Sequence, residues 1–525
     1  MKDTALESSP ASPAPKLTER RLRTRLLRWS LFGLAGLLSL IGLFYAVENL
    51  RGAMAWKKAK ARAIAAGEPL TIADIVPPPV PDEDNAAASP VFRELFDFGE
   101  RDESGYRVHR NYEKLAGLSQ ALVLRRFPGA LPDPTGFLAG RHTDIDAWAK
   151  HMSSKDHPRP FEIDPNARTP ADIVLSALDD LEPILSRHIE VSRRPHAVFP
   201  ITYEDHVGAL LPHLSTIKHA ATAVNLRACV RLEKSDHQKA FQDSISGLRI
   251  ASLPRSEPIL ISSLVQIASL TIALQPLWEG LERHAWSERQ LREFDVELAP
   301  WNLGQRYREC LKGEMALMVA AFDDWQNAGL HMGLVEDEQR RNARMWDFAP
   351  RGWTAHSKAA LVNFHLDHIR PIVDAAGRFN PEQGNQLGPA LDDLTRRGSP
   401  REFLAKLTLP PIGAADYKHA MAQTHIDLAR IACALERHFL AHDNAFPAKL
   451  DALEAAFPEG IPTDRCSGMP YRYGLNADGS YYLYSEGWDQ EDDGGTVTFK
   501  NGRLNDADEK DWVWRFPDGR KPVEE

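Results

Sequence analysis

WSLFGLAGLLSLIGLFYAV, residues Trp29 to Val47, is a run of 19 residues without a charged side chain. At about 1.5 Å of rise per residue, such a helix crosses the roughly 30 Å hydrocarbon layer of a bilayer. A soluble core helix of this length would normally carry a polar face, and only two serines interrupt this one. Arg28 and Glu48 bracket the run. The rival reading is a cleaved signal peptide. Against it stand a charged leader of 28 residues and an apolar run longer than a usual signal core. The one nearby small-x-small triplet, Ala53-Met54-Ala55, lies beyond Glu48 and Arg51. The expectation is a retained single-pass anchor in the cell (inner) membrane, contacting the lipid bilayer through Trp29 to Val47.

Basic residues flank both sides: Lys16, Arg20, Arg21, Arg23, Arg25 and Arg28 before, Arg51, Lys57, Lys58, Lys60 and Arg62 after. The leading cluster abuts the membrane, and a short tail with a long trailing domain suits a cytoplasmic N-terminus. The bulk is then extracytoplasmic, periplasmic where the envelope has two membranes.

With 525 residues, 43% apolar and 26% charged, the chain is long enough for two or three folding units with buried cores. Net charge is −10, and Ala414 to Glu525 carries 12 basic against 21 acidic residues. A soluble body without a basic stripe argues against nucleic-acid binding. Cys229, Cys310, Cys433 and Cys466 show no metal-finger spacing and read as free buried thiols. The alternative is a Cys433–Cys466 disulfide, if the long C-terminal helix packs against the loop after it.

The expected organisation is a basic cytoplasmic tail (1–28), the span (29–47), a helical stem and Pro-rich linker (48–88), a large helical domain (89–413), an α+β module (414–500) and a tail (501–525). The fold class is mainly α. Val76-Pro77-Pro78-Pro79-Val80-Pro81 favours polyproline II and a semi-rigid spacer. Leu210, Leu214, Ile217, Ala221, Val224 and Ala228 recur at helical spacing. Phe241, Ile245, Leu248 and Ala251 do so after a cap at Ser235. Ile259 to Leu274 holds Ser262, Ser263, Gln266 and Ser269, so it reads as a core helix rather than a second span. Ser287 and Gln290 form a capping box, with Trp286 set to staple onto Leu291. A long helix spans about Ala415 to Ala441, with Leu428, Ala432, Leu435 and Phe439 on one face. Short β runs follow at Tyr471 to Tyr473, Tyr481 to Ser485 and Thr496 to Phe499, with Asn476 to Gly479 as a hairpin connection.

The C-terminal motifs have an order of their own: Phe446-Pro447-Ala448-Lys449-Leu450, then Asp464-Arg465-Cys466-Ser467-Gly468-Met469-Pro470-Tyr471, then Leu483-Tyr484-Ser485-Glu486-Gly487-Trp488-Asp489. Over roughly 80 residues this resembles the globular part of the major pseudopilin of type II secretion systems. Arg465 and Cys466 stand where that family has a Pro-aromatic pair, and no prepilin cleavage motif precedes an apolar helix. The resemblance therefore implies an anchored protein with a pseudopilin-like module, not a filament subunit.

Asp489, Glu491, Asp493 and Gly494 occupy positions one, three, five and six of an EF-hand-like loop, but Lys500 sits at position twelve and excludes an EF-hand. The resemblance implies a calcium site here, at Asp489, Asp492 or Asp493, with Asp506 and Asp508 as downstream contributors. A solvated acidic turn is the competing reading. His365 and His368, and His438 with His442, have ligand-like helical spacing without a third ligand. The latter pair suits a helix C-terminus as protonated side chains. Asp179-Asp180 and Asp392-Asp393 read as surface charge. No nucleophile elbow, phosphate loop or dinucleotide fingerprint is present. Two functions stay open. One is a non-catalytic envelope scaffold that binds other envelope or secretion-assembly proteins. The other is an extracytoplasmic hydrolase with its site in the helical domain.

Overall fold

The computed structural model describes residues 17–101, 107–120, 122–124, 132–154, 161–328, 348–396, 399–409, 414–500, 503–504, 510–517 and 523–524. Most of the expected cytoplasmic tail, and Asp506 and Asp508, lie outside these. The elements used below are numbered in chain order. They are α1 (Leu17–Ala65), α2 (Pro212–Glu233), α3 (His237–Ala251), α4 (Leu260–Glu282), α5 (Glu288–Leu298), α6 (Leu303–Ala328), α7 (Arg351–Phe364) and α8 (Ala415–Ala441), with strands β1 (Arg472–Leu475), β2 (Tyr481–Ser485), β3 (Thr498–Lys500) and β4 (Trp512–Arg515).

Helix α1 runs unbroken for 49 residues, so the apolar run and the expected stem are one rod. Its apolar window is 0% buried, whereas that of α4 is 72% buried. Among the described residues, only α1 therefore offers an exposed apolar surface of membrane-spanning length, and α4 is the core helix expected. The polar side chains of α4 explain the difference. Ser263 Oγ meets His419 Nε2 at 2.7 Å, Ser262 donates to Glu257, and Gln275 Oε1 accepts the Phe137 amide at 2.6 Å. In a core they find partners that lipid would not supply.

Past the apolar run, one face of α1 becomes part of the globular body. Gly52 and Gly352 bring α1 and α7 into backbone contact. A Cβ on Gly352 would lie 2.5 Å from the Glu48 carbonyl carbon and 2.8 Å from Asn49 Cα. Asn49 Oδ1 accepts the Gly352 amide at 2.8 Å. Glu48, buried at the first turn beyond the apolar run, accepts from Arg401 at 2.6 and 2.8 Å and from Trp353 Nε1 at 2.9 Å. Ala59 and Ala63 are buried further down. Arg62 pairs with Asp367 at 2.6 Å, and Glu68 with Arg370 at 3.0 Å. The stem is thus docked on the domain. The proline segment is stitched down as well: Ile72 and Ile75 pack on the core, and the Asn85 side chain bonds both backbone groups of Val198.

Within the helical body, Leu214, Ile217, Ala221, Val224 and Ala228 are all buried on α2, while Leu210 precedes the helix and is exposed. The cap of α3 is Asp236, accepting from the Lys239 amide, not Ser235. Ser235 instead adopts φ +58° and ends α2, with the Asp236 amide reaching back to the Arg231 carbonyl at 2.8 Å. The Ser287–Gln290 capping box forms, and Trp286 and Leu291 share one core.

Helix α8 has the expected bounds, and Leu428, Ala432 and Leu435 are buried. It lies between α4, α5 and α6 and the sheet, so one continuous core runs from Phe137 through α3, α4, α5 and α8 to Tyr481, Leu483 and Trp514. Packing shows no break between the helical body and the C-terminal residues from Ala414 onward.

The expected hairpin forms, pairing Arg472 with Tyr484 and Leu475 with Tyr481. Gly479, at φ +84°, closes its turn with a 3.0 Å bond to Asn476 O. The third strand is β4, from the expected tail, giving the antiparallel order β1-β2-β4. Strand β3 pairs instead with Arg503–Leu504 and Val523–Glu524 in a second small sheet. Burial explains the choice: Trp512, Val513 and Trp514 bring two large indoles to cover.

Candidate functional site

The acidic loop leaves β2 at Trp488, whose ring is buried and donates to Asn385 at 2.7 Å. Asp489, Asp492 and Asp493 each have a partner within the protein. Asp489 accepts from the Glu491 amide at 3.0 Å. Asp492 takes Tyr484 Oη at 3.0 Å and the Gly494 amide at 2.9 Å, with Arg472 at 3.4 Å. Asp493 pairs with Lys510 at 2.9 Å. Asp511, a residue the motif reading passed over, is buried beneath the loop and accepts the amides of Gly495 and Asp493. Burial, and then the nearby carboxylates of Asp493 and Asp492, push its pKa up to about 7. Asp489 is raised by burial first, then by Asp493 and Glu491. Negative charge is therefore crowded here, and a proton or cation relieves it. Among the described residues, no group of three or more His, Cys, Asp or Glu is placed as a metal cage.

The motif residues above the loop have structural work. Ser485 donates to Asp464, whose Oδ1 also accepts the amides of Cys466 at 2.8 Å and Ser467 at 3.1 Å. Arg465 reaches Asp427, buried on α8, at 2.7 Å, and Tyr471 Oη joins at 3.3 Å. The departure from the Pro-aromatic pair thus supplies the counter-ion of a buried carboxylate. All four thiols are free, so the Cys433–Cys466 disulfide does not form. Cys433 is buried in the core that α8 shares with α4 and α5, whereas Cys466 packs with the group around α6 and α7.

The histidines do not converge. His365 is buried 3.4 Å from Glu68 on a π-helical turn, while His368 rests on the Phe364 ring. His438 and His442 stack at 3.8 Å, and partial burial and His442 lower the His438 pKa, so a doubly protonated helix cap is disfavoured. Asp179, Asp180, Asp392 and Asp393 are exposed. The arrangement nearest to a hydrolase is Ser263–His419, separated by 156 positions and invisible to local motif reading. His419 Nδ1 is held by the Ala415 carbonyl at 2.6 Å, which leaves Nε2 to accept from the serine. Burial drives the His419 pKa down to about 3, and both side chains are fully enclosed. A base that weak, without access for substrate, serves packing rather than acyl transfer.

Compared with known proteins, the chain matches no described family, no curated protein and no solved structure.

Proposed function

We propose that this chain is a non-catalytic, membrane-anchored scaffold of the bacterial envelope, with α1 retained in the bilayer through Trp29 to Val47 and the globular body held against the outer lipid surface. The observation that carries the reading is the docked stem. Cleavage near Ala53–Ala55 would remove Glu48 and Gly52 from a packed helix pair and leave Arg401 and Trp353 without their acceptor. The contact also fixes height. Phe44 meets Trp353 edge-on, and Tyr45 Oη donates to the Phe348 carbonyl. Phe348 itself is 78% exposed beside the end of the apolar run, which suits an aromatic residue at a membrane interface.

In this reading the pseudopilin-like C-terminal surface docks a secretion-type assembly. Strand β1 lies at a sheet edge with Leu475 and Met469 exposed nearby, and such an edge accepts a partner strand. The acidic loop is stiffened by calcium at Asp489, Asp492 and Asp493. Photo-crosslinkers at Met469 and Leu475 in cells should give discrete adducts with envelope assembly proteins. A protein that stays in carbonate-washed membranes yet gives no adduct contradicts the scaffold role while leaving the anchor intact. Calorimetric calcium titration of the full chain in detergent should show saturable binding, lost in Asp489→Asn and Asp493→Asn. A flat titration would reduce the loop to a solvated turn.

A further inference from the structure

An open cavity of about 440 Å³ lies where the ends of α3 and α5 meet the start of α6. Arg306 lines it and is only 7% exposed. Its Nη2 donates to the Pro254 carbonyl at 3.1 Å and to the Glu257 carbonyl, and its Nε to Gln266 at 3.4 Å. All of these acceptors are neutral. Among the described residues, Nη1 donates no hydrogen bond and no carboxylate pairs with this guanidinium. The buried Arg227 differs, holding Asp243 at 2.7 Å, as does the half-buried Arg465, which holds Asp427. A guanidinium taken out of water without a counter-ion is costly, and the cost falls when an anion reaches it.

The rest of the lining sets what kind of anion fits. The Arg255 side chain, also on the wall, donates to the neutral Pro195 carbonyl. Glu297 is already taken by Arg249, and Glu309 is exposed and acidic, so the surroundings do not favour a strongly charged ligand. Leu248, Val296 and Trp301 contribute apolar surface. We propose that this cavity binds a small organic monocarboxylate with an apolar or aromatic body. The carboxylate sits on Arg306, and the body lies against Trp301 and Val296. The site does not depend on how α1 meets the membrane.

The test is titration of the full chain in detergent with 3-phenylpropionate, read by calorimetry and by tryptophan fluorescence. Its neutral isostere 3-phenylpropanamide and inorganic phosphate serve as comparisons. Saturable binding of the acid is expected, with the amide weaker by about tenfold or more, as loss of a charge-assisted hydrogen bond requires. Arg306→Gln should lose as much. Because Arg306 also holds backbone carbonyls, Val296→Glu is the second variant: Val296 is 69% exposed, so a carboxylate there repels the ligand without disturbing the core. Glu309→Gln should tighten binding. No saturable binding of the acid, equal binding of acid and amide, phosphate binding as tightly as the acid, or indifference to Val296→Glu would each overturn the proposal.

Discussion

Replacing Gly352 by alanine puts a methyl group between two helices that leave no room for it. The new carbon would lie 2.5 Å from the Glu48 carbonyl carbon, where ordinary contact is 3.4–4 Å. The obstructing atoms are backbone, so α1 and α7 must separate by about 1 Å or more. Overpacking of this kind costs about 1–3 kcal/mol. The Asn49–Gly352 bond and the Trp353–Glu48 bond stretch with it. A gain of at most about 1 kcal/mol in helix propensity works the other way. A net loss of about 2 kcal/mol raises the open population of the stem roughly 30-fold. Trypsin reports that opening, because Lys57, Lys58 and Lys60 are exposed on α1 but helical and so resistant while docked. Gly117→Ala is the matched control, a helical glycine with nothing within 4 Å. Stem cleavage should speed up about 10- to 50-fold in Gly352→Ala and stay unchanged in Gly117→Ala. Equal rates in both would refute the claim that the stem belongs to the folded body.

Three further outcomes follow from the buried polar groups. Asp511 has a folded pKa near 7, above its unfolded value, so its contribution to stability is full at acid pH and lost as pH rises through 7. Melting curves from pH 4 to 8 should be flatter for Asp511→Asn, and an unchanged slope would count against the burial of that carboxylate. Arg465→Met strands Asp427 in the core and should cost about 3 kcal/mol in urea unfolding, largely recovered in the Asp427→Leu/Arg465→Met double variant. Burial raises the pKa of Cys229, Cys310, Cys433 and Cys466. A thiol reagent at pH 8 should therefore leave Cys229, Cys310 and Cys433 untouched until denaturant is added, with the half-buried Cys466 the first to react.

Local patterns carried through where neighbours along the chain decide the outcome. The α8 bounds, the Ser287–Gln290 box and the Asn476–Gly479 turn depend on spacing of a few residues, and the sequence states that spacing directly. Ser235 does not cap α3 because two helix ends compete for adjacent residues: Asp236 caps the second, so Ser235 is left to close the first with a positive φ. Which strand completes the hairpin's sheet is not legible locally, for a different reason. Thr496 to Phe499 and Trp512 to Arg515 have similar β character, and only the tertiary core selects the indole-rich one. The continuity of packing across residue 414 was equally hidden, because α8 looks amphipathic from its sequence yet is covered on both sides. Arg306, Asp511 and the Glu48–Arg401 pair gain meaning only from partners, or missing partners, far away in the chain.

In the proposed function α1 stays in the membrane as an integral part of the folded protein. Intact-mass analysis of the chain recovered from carbonate-washed membranes tests it most directly. Resistance to carbonate is expected, with α1 present and a mass no lower than the 58.7 kDa of this sequence. A species beginning near Ala53–Ala55, or release into the soluble fraction, would contradict it.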